Sequence, residues 1–183
     1  MSRYLTHIKR LKEPENSLER FFSIFEPMQK KMGPVLIQLP ESIRFDYAVA
    51  EHFYRLLKEK YSSYKFAMEV RHESWMTEDS YTLMAKYDVT FVMSHSGNHF
   101  PYTEVVTTKN IYFRFHCSGS LYNTKYHHAT MKKYSRLVKT WLCECHDLWI
   151  FFNNDWFGYV IDNAFTLRKY PEILKRGELE PRK

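Results

Sequence analysis

"FAMEVRHESWMTEDSYTLMAKYDVTFVMSH", residues 66–95, contains one full strand–helix–strand period, and the fold follows from it. "FAMEVR" and "VTFVMSH" are short, mostly apolar runs of strand length, and "TEDSYTLMAKY" between them has helical patterning. A strand that returns to its sheet through a helix must lie parallel to the first. The rhythm extends in both directions. Further strands are expected at "VLIQLP" from Val35, "IYFRFH" from Ile111 and "LWIFFNN" from Leu148. Helices are expected over "SLERFFSIFEPMQKKMG", capped by Ser17 and stopped by Gly33, and over "FDYAVAEHFYRLLKEK", capped by Asp46 with Ala48, Phe53, Leu56 and Leu57 near one stripe. "HHATMKKYSRLVKTWLCEC" and "GYVIDNAFTLRKY" complete the series. Strands alternating with helices specify a parallel α/β sheet, and no shift in composition marks a second domain across 1–183. An open doubly wound sheet and a (β/α) barrel both satisfy the pattern, and both bind ligands at the C-terminal strand ends.

Those strand ends carry an unusual set of side chains. Glu69 and Arg71 are two apart, hence on one face of a strand that is otherwise apolar, and His72 follows. Burying a charge costs several kcal/mol unless it is well paired, so a reason for these residues is needed. Gln38, Ser94, His95, Arg114, His116, Asn153, Asn154 and Asp155 stand at the ends of the other strands. Met68, Val70, Phe113 and Phe115 alternate with them and are expected to face helices. Carboxylate, guanidinium, imidazole and amide together can supply acid–base chemistry, an anion clamp and hydrogen-bond donors. A structural ionic network is the competing explanation.

The 183 residues suffice for one domain with a sizeable core, or for part of a larger one. Aromatic residues make up 17% of the chain and Gly only 5 positions, which favours an ordered core over linkers. A formal charge of +6 permits phosphate or nucleic-acid binding without requiring it. Cys117, Cys143 and Cys145 are odd in number and badly spaced for a disulfide framework, so partly buried free thiols and a cytoplasmic location are expected. No stretch resembles a signal peptide or a membrane span, so no membrane partner is expected. His95 and His99 lack further ligands for a metal site, and His127–His128 reads as an exposed helix start. No glycine-rich phosphate loop and no HExxH occurs.

Five ordered stretches, "SRYLTHIKRLK", "GPVLIQLPES", "FAMEVRHESW", "YFRFHCSGSLY" and "FFNNDWFGYVIDNA", resemble the segments of the YecE-like family, domain-of-unknown-function family seventy-two. The resemblance covers nearly the whole chain. It implies a TIM-barrel-like (β/α) fold and marks Thr6, His7, Gln38, Glu69, Arg71, His72, Ser74, Trp75, Arg114, His116, Tyr122, Asn153 and Asn154. Cys117 departs from the glycine of the family pattern. Relative to the family, the first two to three strands are not represented, which implies an incomplete barrel of about five full strands, 1–183 being one partial domain. Such a barrel would expose strand edges, giving a motive for a homo-oligomer or a complementing chain.

The expected function is an enzyme, a hydrolase or phosphoester-processing one by fold analogy, acting on a small polar or anionic substrate. Glu69, His116 and His7 are the candidates for proton transfer. Gln38, Arg71, His72, Ser74, Trp75, Arg114, Tyr122, Asn153 and Asn154 are the candidates for substrate binding. A divalent metal on Glu69 and histidines is compatible with these donors, though none is specified. The alternatives are a non-catalytic nucleic-acid-binding module, recognisable by steep salt dependence, and an inactive fragment that acts through association.

Overall fold

A computed structural model describes residues 1–116, 125–154 and 156–169. All five expected strands form: β1 (Val35–Gln38), β2 (Phe66–Glu69), β3 (Val89–His95), β4 (Asn110–Phe115) and β5 (Asp147–Phe152). Their order in the sheet is their order in the chain. β1 pairs in parallel with β2, β2 with β3, and β4 with β5. Helix α1 (Glu15–Phe25) precedes β1, and α2 (Tyr47–Lys60), α3 (Glu78–Lys86), α4 (His128–Cys143) and α5 (Tyr159–Lys169) follow β1, β2, β4 and β5, whereas β3 leads to β4 without a helix. None of the described helices is long and apolar enough to cross a membrane.

The chain divides into two compact units. Unit 1 comprises Met1–Val92 and Thr103–Thr108, and unit 2 comprises Met93–Tyr102 with the chain from Lys109 onward. In unit 1, α1 lays Phe22 on Tyr61 in a stack 4.1 Å between centroids and sets it edge-on to Phe66 of β2. Phe53 and Leu57 of α2 are fully buried, as are Ile37 and Met68 of the strands. Thr107 bonds the first residues of β3: its hydroxyl donates to the Val89 carbonyl at 2.8 Å and accepts from Phe91 N–H at 2.9 Å. A side chain thus satisfies two backbone groups at the start of β3.

In unit 2 the core is aromatic. Phe113 and Phe115 of β4 stack at 4.4 Å, Phe152 of β5 stacks on Phe115 at 4.8 Å, and Tyr134 of α4 meets Phe113 and Phe115 edge-on. The high aromatic content is therefore spent largely on packing, and β4's apolar face does turn toward a helix.

Several local expectations need correction. Ser17 lies inside α1 instead of capping it; Glu15 already begins the helix, and Pro14, at the cap position, has no N–H to satisfy. The run ends in a 3₁₀ turn, Glu26–Lys31, with Pro27 near its start, and Met32 is extended before Gly33 is reached. Asp46 does cap α2, its Oδ1 accepting from Val49 N–H at 3.1 Å. Ala48 is exposed, however, and Ala50 takes its place in the buried stripe with Phe53, Tyr54, Leu56 and Leu57. Position 50 is three residues before Phe53, the true helical neighbour spacing, whereas 48 is five before it. Cys143 and Cys145 are exposed at the end of α4, where the chain turns out through Cys145 at φ 62°, beyond the core-facing stripe. His127 and His128 open α4 and are exposed, as expected.

Tyr54 is completely buried, and its hydroxyl has no hydrogen-bond partner among the described residues. Burial pushes that phenol's pKa up. An unpaired buried hydroxyl is a cost, so Tyr54→Phe should stabilise the protein by about 1 kcal/mol. A rise in thermal midpoint checks this; a fall would mean that the hydroxyl is engaged.

Candidate functional site

β1 and β2 are four-residue strands in register, with Gln38 opposite Glu69 at their C-terminal ends. Phe66, Ala67 and Met68 anchor β2 in the core, so the chain carries Glu69 to a position with no exposed surface. Arg71, two residues on, folds back over it. Its Nε and Nη2 both donate to Glu69 Oε1, at 3.0 and 2.9 Å. The guanidinium remains 15% exposed, so Arg71 covers the carboxylate and presents its outer side to solvent. The common face inferred from strand alternation is thus realised as an ion pair.

Arg71 lines a cleft of about 460 Å³ together with Arg3, Thr6, His7 and Gln38. His7 reaches it from a π-helical turn, Tyr4–Ile8, a rare geometry often found where side chains must be re-aimed. Buried Thr6 lies behind it. Thr6 Oγ1 donates to Ser2 O at 3.3 Å and therefore accepts from His7 Nδ1–H at 2.8 Å, which leaves Nε2 as the basic nitrogen. Desolvation lowers the His7 pKa from its ordinary value, and the charges of Arg3 and Arg71 lower it further. The imidazole is consequently neutral at pH 7, beside two cations.

His72, Ser74 and Trp75 are placed differently. His72 Nδ1 accepts from Ser74 N–H at 3.1 Å and caps the short 3₁₀ turn Glu73–Trp75. Ser74 Oγ accepts from Phe45 N–H at 2.8 Å, and the Trp75 indole donates to the Ile43 carbonyl at 2.9 Å. Ser74 and Trp75 thus tie the loop after β2 to the loop after β1, His72 holds Ser74 in place, and none of the three lines the His7–Arg71 cleft.

Unit 2 carries its own polar set. Arg114 Nε donates to Asn153 Oδ1 at 3.3 Å, joining the ends of β4 and β5. His116 is buried, with its backbone N–H donating to His95 O at 2.9 Å and Phe100 edge-on at 6.4 Å. Asn154 is also buried, but its partner is Asn163 of α5, whose Oδ1 accepts from Asn154 Nδ2 at 2.8 Å. The same oxygen accepts from Tyr126 N–H, and Asn163 Nδ2 donates to Tyr126 O. The Tyr126 hydroxyl in turn lies 2.9 Å from His95 Nδ1. Asn154 thus belongs to a buried network that pins the start of α4 to α5. Tyr122, Cys117 and Asp155 lie outside the described residues.

Sequence reasoning passed over Arg3, Tyr126 and Asn163. Asn163 did leave a trace, because asparagine inside a helix is unfavourable unless its side chain is employed. Arg3 left none. Among the described residues, no three His, Cys, Asp or Glu side chains are grouped to hold a metal ion.

Parallel strands in sequential order, most of them followed by a helix and ending in polar side chains, define an α/β protein whose ligands are expected at the carboxyl ends of its strands. The chain belongs to the family described as "Protein of unknown function DUF72", which it matches over residues 1–182. A DUF72 family protein from Thermotoga maritima is 28% identical and superposes with a TM-score of 0.80, over 92% of this chain and 70% of that one. A DUF72 family protein from Enterococcus faecalis is similar in fold in two crystal structures. One aligns at 17% identity with a TM-score of 0.76, over 89% of this chain and 67% of that one. The other aligns at 21% with a TM-score of 0.69, over 81% and 65%. No curated protein matches the chain.

Proposed function

We propose that the protein is a hydrolase for a small anionic substrate, a phosphate ester fitting the donors best, and that its chemistry takes place in the cleft between His7 and Arg71. One observation carries this reading: a neutral imidazole, with a free basic nitrogen, shares a cleft with two guanidinium groups and an amide. Arg71 and Arg3 would hold the anion, and Gln38 would orient it. His7 Nε2 would take a proton from water as the water oxygen bonds to phosphorus. The ester P–O bond then breaks, and the departing oxygen recovers the proton from the imidazolium. Glu69, with no exposed surface, enters as the residue that positions Arg71. In unit 2, Arg114 held by Asn153 would bind an anion, and His116 would transfer protons. The strand order suits a (β/α) barrel of the TIM type.

The test uses para-nitrophenyl phosphate and related esters with the wild-type protein. His7→Asn should lower kcat about 10²- to 10⁴-fold, the usual range for losing a general base. Turnover unchanged in His7→Asn would overturn the assignment.

The pH dependence has a definite sign. Because the folded pKa of His7 is lowered, the basic form is complete by neutral pH, and the rate should rise through a midpoint below 6.5. Arg3→Gln removes one of the charges that lowers it, so the midpoint should move up. NMR titration of the His7 ring measures both directly; a midpoint above 6.5 in the wild type would contradict the arrangement.

A further inference from the structure

Unit 1 has a second cleft, of about 370 Å³, that shares no lining residue with the first. Its rim bears three cations, Arg10 and Lys12 from the loop after the π-helical turn and Arg44 from the loop between β1 and α2. None of the three makes an ion pair or a side-chain hydrogen bond among the described residues. Like charges gathered around one hollow repel one another, and the acidic residue that lines the cleft is Asp46, whose Oδ1 is already engaged as the α2 cap.

The loop that presents two of these cations is held in an unfavourable backbone shape. Arg10 and Leu11 have φ of 52° and 64°, and Glu13 has φ of 45°, values that suit glycine. The shape is imposed by burial of Leu11 and by its N–H donating to Leu5 O at 3.1 Å. With Leu11 turned inward, Arg10 and Lys12 on either side of it are both exposed at the rim.

Beneath the rim the cleft is apolar. Leu11, Ile43 and Trp75 are buried in its wall, and Phe45 is half-buried with its ring 4.9 Å from that of Trp75. A bare inorganic anion would leave that surface unused, and an uncharged apolar molecule would leave the cations uncompensated.

We infer that the cleft bounded by Arg10, Lys12 and Arg44 binds an organic anion, a phosphate or carboxylate group carried on an apolar body. The anionic group sits among the cations, where charge-assisted hydrogen bonds are strongest, and the body lies against Phe45 and Ile43. The site is independent of the proposed hydrolytic cleft, so either can fail without the other.

NMR titration with phenylphosphonate, whose C–P bond the proposed hydrolase does not cleave, alongside inorganic phosphate, tests this on the intact chain, read at the backbone amides of Leu11, Ile43 and Phe45 so that occupancy of the first cleft does not enter. Phenylphosphonate should bind there saturably and more tightly than inorganic phosphate. Arg10→Gln combined with Arg44→Gln should weaken it by about ten-fold or more, the consequence of losing charge-assisted bonds. Equal affinity for the two ligands would overturn the organic class. No saturable binding, or equal binding by the double variant, would overturn the site. Should the double variant fold poorly, backbone NMR shifts on titrating the wild type decide the matter: perturbation must centre on Leu11, Ile43 and Phe45, and shifts centred elsewhere refute the proposal.

Discussion

Arg71→Met is expected to destabilise the protein by roughly 3–5 kcal/mol, the range for stranding one member of a buried ion pair. The physical reason lies in Glu69, not in Arg71. The carboxylate has no exposed surface, and the Arg71 guanidinium is what covers it and supplies two hydrogen bonds to Oε1. Methionine fills similar volume but takes from a buried negative charge the cation that donates both of these hydrogen bonds. The second substitution therefore has the opposite sign: adding Glu69→Gln to Arg71→Met should restore much of the loss, because the stranded charge is gone. Denaturant unfolding of the two single variants and the double variant measures the coupling. Additive effects would mean that the pair contributes little to stability. Arg71→Met should also abolish anion binding in the first cleft, whereas the double variant regains stability without regaining binding. That divergence separates the structural part of Arg71 from its proposed part in recognition.

Asn163→Leu carries the second large effect, in unit 2. Leucine matches the shape of asparagine closely but removes one acceptor and one donor. The Tyr126 N–H and carbonyl and the Asn154 amide all lose this partner inside the protein. Each buried polar group deprived of a partner costs about 1–3 kcal/mol, so a total of roughly 3 kcal/mol or more is expected. The Tyr126 amide should exchange with solvent much faster, since its acceptor is removed. Amide exchange by NMR reads this residue by residue. Protection of Tyr126 unchanged in Asn163→Leu would show that the network does not hold the entry to α4.

The two predictions differ in how far they could be read from the chain alone. Glu69 and Arg71 were legible because strand alternation is a short-range rule: residues two apart share a face whatever the rest of the protein does. The five strands were legible for a related reason, since short apolar runs separated by amphipathic stretches leave few arrangements other than a parallel α/β sheet. The capping aspartate of α2 was local as well. Ser17 misled because a serine before an apolar run satisfies the capping pattern, while Pro14 began the helix earlier. Ser74 and Trp75 stood out for their chemistry, but their hydrogen bonds go to Phe45 and Ile43, some thirty residues away, and no periodicity reports a partner at that distance.

By itself, the sequence determined the succession of strands and helices and the collection of polar groups at the strand ends, because both depend on spacing within a few residues. Only the tertiary structure decided what those groups do. It buried Glu69 completely and left Arg71 partly exposed above it, turned His7 beside Arg3 and Arg71, and gave Asn154 to Asn163. Charge, burial and hydrogen bonding between distant segments exist only once the chain has packed. For that reason the titration of His7, the buried Asn163 network and the second cationic cleft could not be read in advance.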